Sequence, residues 1–84
     1  MPVYFVDTRD QDDLFADEVG QDVPDLATAG VLATVSLCEL AKDVLPDSDS
    51  RRLAVDVRDV MGRTLFTAEL TFERFLLSEP SLSG

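Results

Sequence analysis

The sequence predicts an α+β domain in which one helix packs on one face of a four-stranded antiparallel sheet, in the order β-β-α-β-β. Residues 26–44 carry apolar side chains every three or four positions, which is typical of an amphipathic helix. Residues 51–59 and 64–72 alternate apolar and polar side chains, as a strand with one buried face does. Two shorter β-prone segments precede the helix, and two hairpins joined by a helix most simply form one antiparallel sheet.

The chain has 84 residues and is expected to fold as one domain, because chains shorter than about 100 residues rarely divide. We expect this domain to span residues 1–75. Residues 76–84 contain serine, proline and glycine without a periodic pattern, so we expect them to form a frayed C-terminal tail.

The first hairpin is predicted near the N-terminus. Val3–Asp7 is rich in β-branched and aromatic side chains, which favour a first strand. A polar turn at Thr8–Asp12 is expected to lead into a second strand at Asp13–Asp17. Gly20 adopts positive φ without steric cost, so the next turn is expected there.

The helix is predicted to run from Leu26 to Val44. Asp25 precedes it and can accept hydrogen bonds from the first free amides, while its charge suits the positive end of the helix dipole. Pro46 is expected to end the helix. The predicted buried face consists of small and aliphatic residues: Leu26, Ala29, Gly30, Ala33, Leu37, Leu40, Ala41 and Val44.

The second hairpin is predicted to join strands at Arg51–Asp59 and Thr64–Phe72. Apolar positions are odd-numbered in the first of these strands and even-numbered in the second. Cross-strand neighbours can share a face only if the connection has an even length or contains a β-bulge, and Gly62 suits either. The helix is expected to face the apolar side chains of both strands: Leu53, Val55, Val57, Phe66, Ala68, Leu70 and Phe72.

The composition excludes several classes of function. The chain has 17 acidic and 7 basic residues, a net charge of −10, no histidine, no tryptophan and a single cysteine. Because phosphate groups are bound by lysine and arginine, we expect no nucleic-acid partner and no anionic membrane partner. No signal peptide and no bilayer-length apolar segment is visible, so we expect a soluble cytoplasmic protein.

We expect no catalytic, cofactor-binding or metal-binding residues, and therefore no enzyme. In the acidic cluster, Asp10 and Asp12 fit the first and third positions of a calcium loop, but Leu14 occupies the fifth. We interpret the cluster as solvated turns and a helix cap. Cys38 has no histidine to activate it, so we interpret it as a half-buried helix residue. The acidic cluster contains eight residues: Asp7, Asp10, Asp12, Asp13, Asp17, Glu18, Asp22 and Asp25.

The basic residues are concentrated in the second half of the chain. We expect them to lie on solvated faces, with Arg58 paired with Asp56 or Asp59. Neither a glycine-rich phosphate loop nor an aromatic stacking surface accompanies them.

Three short motifs occur together in this chain. They are Met1-Pro2 followed by Tyr4-Phe5, Pro24-Asp25-Leu26 at the helix start, and the strand that runs from Leu53 to Asp59 as Leu-Ala-Val-Asp-Val-Arg-Asp. In these motifs the chain resembles a family of short acidic bacterial proteins of unknown function. The resemblance covers residues 1–75 and implies the predicted fold and a bacterial, cytoplasmic origin. It implies no catalytic or ligand residues. The chain departs from the family on the outer helix face, where relatives carry charged residues.

That departure predicts self-association. Val31, Leu32, Val35 and Cys38, here called the helix patch, place apolar side chains where water is expected to meet the helix. A second candidate surface is the uncovered face of the sheet, with Val3, Phe5 and Phe15, here called the sheet patch. Either surface would give a symmetric homodimer.

We therefore expect a non-enzymatic protein-interaction module that acts as a homodimer. One alternative is an antitoxin-like or phosphate-mimicking regulator that binds a basic partner surface through the acidic N-terminal hairpin. A second alternative is a small metal-binding module.

Overall fold

The computed structural model describes residues 2–78 and confirms the α+β class. One helix covers one face of an antiparallel sheet of five strands, one more than predicted. Along the sheet the strand order is β2-β1-β4-β5, and β3 also pairs with β1. The elements are β1 (Val3–Asp10), β2 (Asp13–Phe15), β3 (Gln21–Asp22), α1 (Leu26–Val44), β4 (Ser50–Arg58) and β5 (Thr64–Glu73).

The N-terminal strands differ from the prediction. β1 continues through the predicted turn to Asp10, and only residues 11–12 turn, with Gln11 at a φ of 58°. The strand extends this far because the polar side chains at the end of β1 form ion pairs with residues of β4. Arg9 binds Asp56, and Asp10 binds Arg51. β2 ends two residues earlier than predicted.

β3 was not predicted, because Gln21–Asp22 has neither β-branched nor aromatic side chains. It is defined by its pairing with Val3 and Tyr4 at the start of β1. This strand is therefore a consequence of tertiary contact and not of local preference.

The helix has the predicted bounds, because both of its ends are set by local chemistry. The side chain of Asp25 accepts hydrogen bonds from the backbone N–H of Thr28 at 2.8 Å and from its hydroxyl at 2.7 Å. Pro46 lies in a short 3₁₀ turn, Leu45–Asp47, that follows α1. The described residues contain no helix that is long and apolar enough to cross a membrane.

The hairpin of β4 and β5 contains a bulge, one of the two alternatives that the sequence left open, but the bulge does not lie at Gly62. Val57 pairs with Phe66, whereas Arg58 pairs with Thr64, so the register shifts between Val57 and Arg58. The shift lets odd-numbered residues of β4 share a face with even-numbered residues of β5. The predicted core is confirmed except at Phe72, which lies outside the core cluster, and Val23 belongs to the cluster without having been predicted. Its buried residues are Val23, Ala29, Ala33, Leu37, Leu53, Val55 and Val57, with Leu26, Leu40, Val44, Phe66, Ala68 and Leu70 packed against them.

No helix or strand is formed by residues 74–78. The predicted frayed tail, residues 76–84, lies mostly outside the described residues, which end at residue 78.

Candidate functional site

The acidic cluster is partly an internal structural feature, which corrects its interpretation as solvated turns. Asp7 is buried, at 8% exposure, and its carboxylate accepts hydrogen bonds from Arg58 Nε at 2.8 Å and from the Asp17 backbone N–H at 2.9 Å. Arg58 also donates from Nη2 to the carbonyl oxygen of Asp17 at 2.8 Å. We call these three residues the Asp7–Asp17–Arg58 cluster.

Arg58 therefore does not pair with Asp56 or Asp59, as the sequence had led us to expect. In the register of β1 with β4, Arg58 lies opposite Phe5, and its guanidinium stands 4.5 Å from the centroid of that ring. Asp7, two residues along the same face of β1, is then within reach. Asp56 is bound by Arg9 and Thr67, and Asp59 is bound by Arg63.

Asp17 fastens the connection between β2 and β3 to β1. Its carboxylate accepts backbone hydrogen bonds from Gly20 and Val19, both at 3.0 Å, and from Val6 at 3.2 Å. Burial alone would raise the pKa of Asp17, but these three amides and the charge of Arg58 outweigh it and hold the pKa below its usual value. A carboxylate at this position therefore acts as a backbone clamp.

Asp10 makes the corresponding contact at the other end of β1. Arg51 donates to both of its oxygens, from Nε at 2.8 Å and from Nη2 at 2.7 Å. This bidentate hydrogen bond lowers the pKa of Asp10. Arg51 also reaches the hydroxyl of Ser48, at 3.3 Å, so the pair joins β1 to the loop that follows the helix.

The remaining members of the acidic cluster stay at the surface. Asp25 caps α1, and the others are exposed: Asp12, Asp13, Glu18 and Asp22. Within residues 2–78, no group of three or more Asp, Glu, Cys or His side chains is arranged to hold a metal ion.

The three residues of the sheet patch do not lie on the same face of the sheet, because the register of β1 with β2 separates them. Tyr4 and Val6 pack toward the helix, so Val3 and Phe5 point to the opposite face. Phe15 pairs with Thr8, which shares the face of Tyr4 and Val6, so Phe15 lies on the helix side and not with Val3 and Phe5. The sequence did not show this because the register depends on where the turn at residues 11–12 falls.

Val3 and Phe5 are also partly covered. The connection between β2 and β3 passes over them, and Gly20, at a φ of +86°, approaches closely enough that a Cβ atom built there would lie 2.7 Å from Val3 Cγ1. Both side chains are half-buried. Phe15 is 60% exposed.

The helix patch lies at the surface as predicted, but its members do not all face the same way. Val31 and Val35, at 63% and 48% exposure, line an apolar groove of about 600 Å³ between α1 and Phe66 of β5. Cys38 is exposed, and not half-buried as the sequence had indicated, and it lines a second groove farther along. Leu32 lines neither groove and lies on the other flank of α1.

The two grooves follow the line along which α1 meets β5. The first groove is narrow at its floor because Gly30 approaches the ring of Phe66. A Cβ atom at Gly30 would lie 3.1 Å from Phe66 Cε2. The first groove is lined by Leu26, Ala27, Gly30, Val31, Thr34, Val35 and Phe66. The second, of about 450 Å³, is lined by Cys38, Ala41, Lys42, Leu45, Pro46, Phe72 and Arg74.

β5 forms the edge of the sheet beside both grooves. It pairs with β4 on one side, and in the described part of the chain no strand pairs with its outer side. Its ten residues leave a long row of backbone donors and acceptors there. The sequence identified the apolar helix residues but did not show that β5 lies beside them. The strand order of a sheet cannot be read from the pattern of apolar residues within any one strand.

Comparison with known proteins assigns the chain to a family but not to an activity. A search of curated proteins and a search of solved structures each gave no match. The sequence model of one family, described as a domain of unknown function (DUF6894), matches residues 3–71. The match spans β1 to β5 almost completely. The chain therefore belongs to the DUF6894 family, a domain of unknown function.

Proposed function

We propose that this domain is a non-enzymatic protein-interaction module that acts as a homodimer. The observation that supports the proposal is the apolar groove between α1 and β5, with Val31 and Val35 exposed on its rim. Isolated small proteins usually avoid contiguous apolar surface of this kind, and such surfaces mark interaction sites.

Burial of these side chains supplies the driving force. Fully burying a valine that is exposed in the monomer stabilises a complex by about 1.5 kcal/mol or more, and a symmetric interface buries each such residue twice. A small domain gains further from a dimer because its own core is thin.

The arrangement of charge favours this function over the regulator alternative. A phosphate mimic would present its carboxylates to a basic partner, but Asp7, Asp10 and Asp17 are already bound by arginines or backbone amides of the same chain. Fewer carboxylates of the N-terminal hairpin are then available to a partner than the sequence implied.

Light scattering coupled to size exclusion tests the proposal. We expect wild-type protein to run as a dimer at high micromolar concentration and moderate salt, and Val35→Glu to run as a 9.2 kDa monomer because a charge buried in the groove is unpaired. Ser36→Glu is the matched control, since Ser36 is exposed but lines neither groove, and it should dimerise as wild type does.

A wild type that remains monomeric throughout contradicts the proposal. If Val35→Glu dimerises as well as Ser36→Glu does, the interface does not include the groove beside α1. The non-enzymatic part of the proposal predicts background rates in hydrolase, transferase and redox screens.

A further inference from the structure

We infer that the homodimer forms by antiparallel pairing of β5 with β5 of a second copy, about a two-fold axis that passes through Ala68. This inference rests on the proposed function and specifies its geometry. The two sheets would join into one continuous sheet, with both helices on the same face. The occupant of the exposed edge is thus a second copy of this chain.

Symmetry restricts the registers that are available. A two-fold axis perpendicular to the sheet keeps each face on its own side, so even-numbered residues of β5 must meet even-numbered residues of the copy. The axis must then pass through a residue and not between two residues. The choice among the residues of β5 can be made from charge.

An axis at Ala68 places opposite charges together. It sets Glu73, the last residue of β5, opposite Arg63, which immediately precedes the strand. Symmetry makes this contact twice. Glu69 then faces Thr67, so no like charges meet along the strand.

Axes nearer the N-terminus of β5 are less favourable. An axis at Thr67 sets Glu73 opposite Met61 and gives no pair of opposite charges. An axis at Phe66 sets Glu69 opposite Arg63, but it pairs only residues 64–68 of β5 and leaves Glu73 with no strand residue opposite it, whereas the axis at Ala68 pairs residues 64–72.

Axes nearer the C-terminus are also less favourable. An axis at Glu69 places that carboxylate against its own copy. An axis at Leu70 sets Arg63 opposite Leu77 and leaves both glutamates of β5 facing threonines. Ala68 is therefore the centre that charge complementarity and the length of the strand pairing select together.

The position of the helix agrees with this centre. Gly30 lies over Phe66, and Ala68 is two strand residues farther on, or about 7 Å. At 1.5 Å per helical residue, this distance corresponds to about four or five residues of α1, which reaches Val35. The axis at Ala68 thus passes close to Val35 on the apolar rim, which was not used to choose the axis.

The second groove supports the assumption that α1 and β5 run side by side. Phe72 lies six strand residues beyond Phe66, about 20 Å, which corresponds to about 13 residues of helix. Thirteen residues after Gly30, the chain has reached residue 43. Opposite Phe72, the residues that line the second groove run from Cys38 to Pro46, so residue 43 falls among them.

The same register accounts for two exposed apolar residues outside the grooves. Phe75 and Met61 are 70% and 75% exposed in the single chain. With the axis at Ala68, the residues that follow Glu73 in one copy reach the β4–β5 turn of the other, which carries Met61, so Phe75 and Met61 come near each other. Contacts between a thioether and an aromatic ring are favourable, so both residues gain a partner.

Disulfide trapping tests the register directly. In a Cys38→Ser background, Ala68→Cys is expected to form a disulfide-linked dimer on mild oxidation, because only a residue on the axis meets its own copy, with Cβ atoms about 5 Å apart. Thr71→Cys in the same background is the control. It lies on the same strand, but its copy would be six residues away, or about 20 Å, so little cross-link is expected.

Charge reversal gives an independent test. Arg63→Glu and Glu73→Arg are each expected to weaken the homodimer by about tenfold, because two like-charged contacts replace two opposite-charged ones. Arg63 also binds Asp59 within its own turn, so loss of dimer by Arg63→Glu alone is not decisive. An equimolar mixture of the two variants is decisive, since it restores both opposite-charged contacts and should recover wild-type affinity.

The outcomes separate this inference from the proposed function. A monomeric wild type overturns both. A wild-type dimer with equal trapping of Ala68→Cys and Thr71→Cys, or with no recovery in the mixture, overturns the β5 pairing while the homodimer stands. A monomeric wild type in which the β5 amides that point away from β4 are protected from hydrogen exchange would assign the edge to another segment of the same chain.

Discussion

At the scale of single residues, the chain uses several of its carboxylates as ligands for its own backbone. Asp17 is the clearest example, because one side chain accepts from the amides of Val6, Val19 and Gly20. The backbone of Asp17 is held as well, by the carboxylate of Asp7 and the guanidinium of Arg58. Together these contacts hold the connection between β2 and β3 against β1, next to the residues that pair with β3.

Asp17→Ala is expected to lower the free energy of unfolding by about 2–3 kcal/mol, because partly buried amide donors would be left without a partner. Urea denaturation measures this change. Glu18→Ala is the control, since Glu18 is exposed and its substitution should change the stability by less than about 0.5 kcal/mol. Equal effects from the two variants would show that the clamp contributes little.

Acid is expected to destabilise the fold, but only at low pH. Arg51 lowers the pKa of Asp10, and hydrogen bonds from Thr28 and Arg63 lower those of Asp25 and Asp59, as the backbone amides do for Asp17. Each group is more acidic in the folded chain than in the unfolded chain, where its pKa is about 3.9. Their stabilisation is therefore complete above that value and is lost as the pH falls through the folded values.

Melting temperatures measured from pH 7 to pH 2 provide the check. We expect little change between pH 7 and pH 5 due to these groups and a progressive fall below about pH 4. Asp17→Asn should show a smaller fall at low pH, because it removes one of the carboxylates that must be protonated. A main loss of stability between pH 7 and pH 5 would contradict this assignment.

At the scale of elements, the sequence predicted α1 well because both of its ends carry local signals, Asp25 and Pro46. The parity of the apolar positions also predicted that the β4–β5 hairpin has either an even-length connection or a bulge, and the structure has the bulge. The extent of β1 and the existence of β3 were missed. Both depend on partners distant in sequence, such as Asp56 for Arg9, which no local pattern reveals.

Only the helix side of the candidate interaction surface was predicted, because the strand side also depends on contacts between residues distant in sequence. The helical period identified Val31 and Val35 as apolar residues outside the core. It could not show that β5 lies beside them, nor that Leu32 points to the other flank, because strand order is a property of the whole sheet.

Packing of α1 on the sheet is expected to dominate stability. Leu37 is 6% exposed within the core, so Leu37→Ala should cost about 2–5 kcal/mol through lost burial and a residual cavity. Leu32→Ala deletes the same atoms from a position that is 41% exposed and should cost about 1 kcal/mol or less. Chemical denaturation of both variants checks the contrast, and similar costs would contradict the assigned helix face.

Substitution of two loop glycines by alanine should distinguish the cost of backbone strain from the cost of a steric clash. Gly20 and Gly62 have nearly equal φ values, +86° and +82°, but only Gly20 has side chains within 4 Å of an added Cβ. Gly62→Ala should therefore cost about 1 kcal/mol for the backbone alone. Gly20→Ala should cost more, because Val3 must also move. Equal melting temperatures for the two variants would show that the loop shifts without cost.

At the scale of the whole molecule, a single sheet with one helix leaves apolar surface beside its edge strand, while the net charge of −10 opposes contact between copies. These two features act over different distances. Apolar contact requires the surfaces to touch, whereas charge repulsion extends over about 10 Å at an ionic strength of 0.1 M. Salt should therefore reduce the repulsion and leave the apolar attraction in place.

We accordingly expect the dimer dissociation constant to fall by several-fold as salt increases from about 20 mM to about 500 mM. The contact between Arg63 and Glu73 works in the opposite direction, because screening weakens it, but two exposed pairs contribute less than repulsion between two copies of charge −10. Sedimentation at several salt concentrations measures the sign. A dimer that dissociates as salt rises would show that specific ion pairs, and not apolar contact, hold the two copies together.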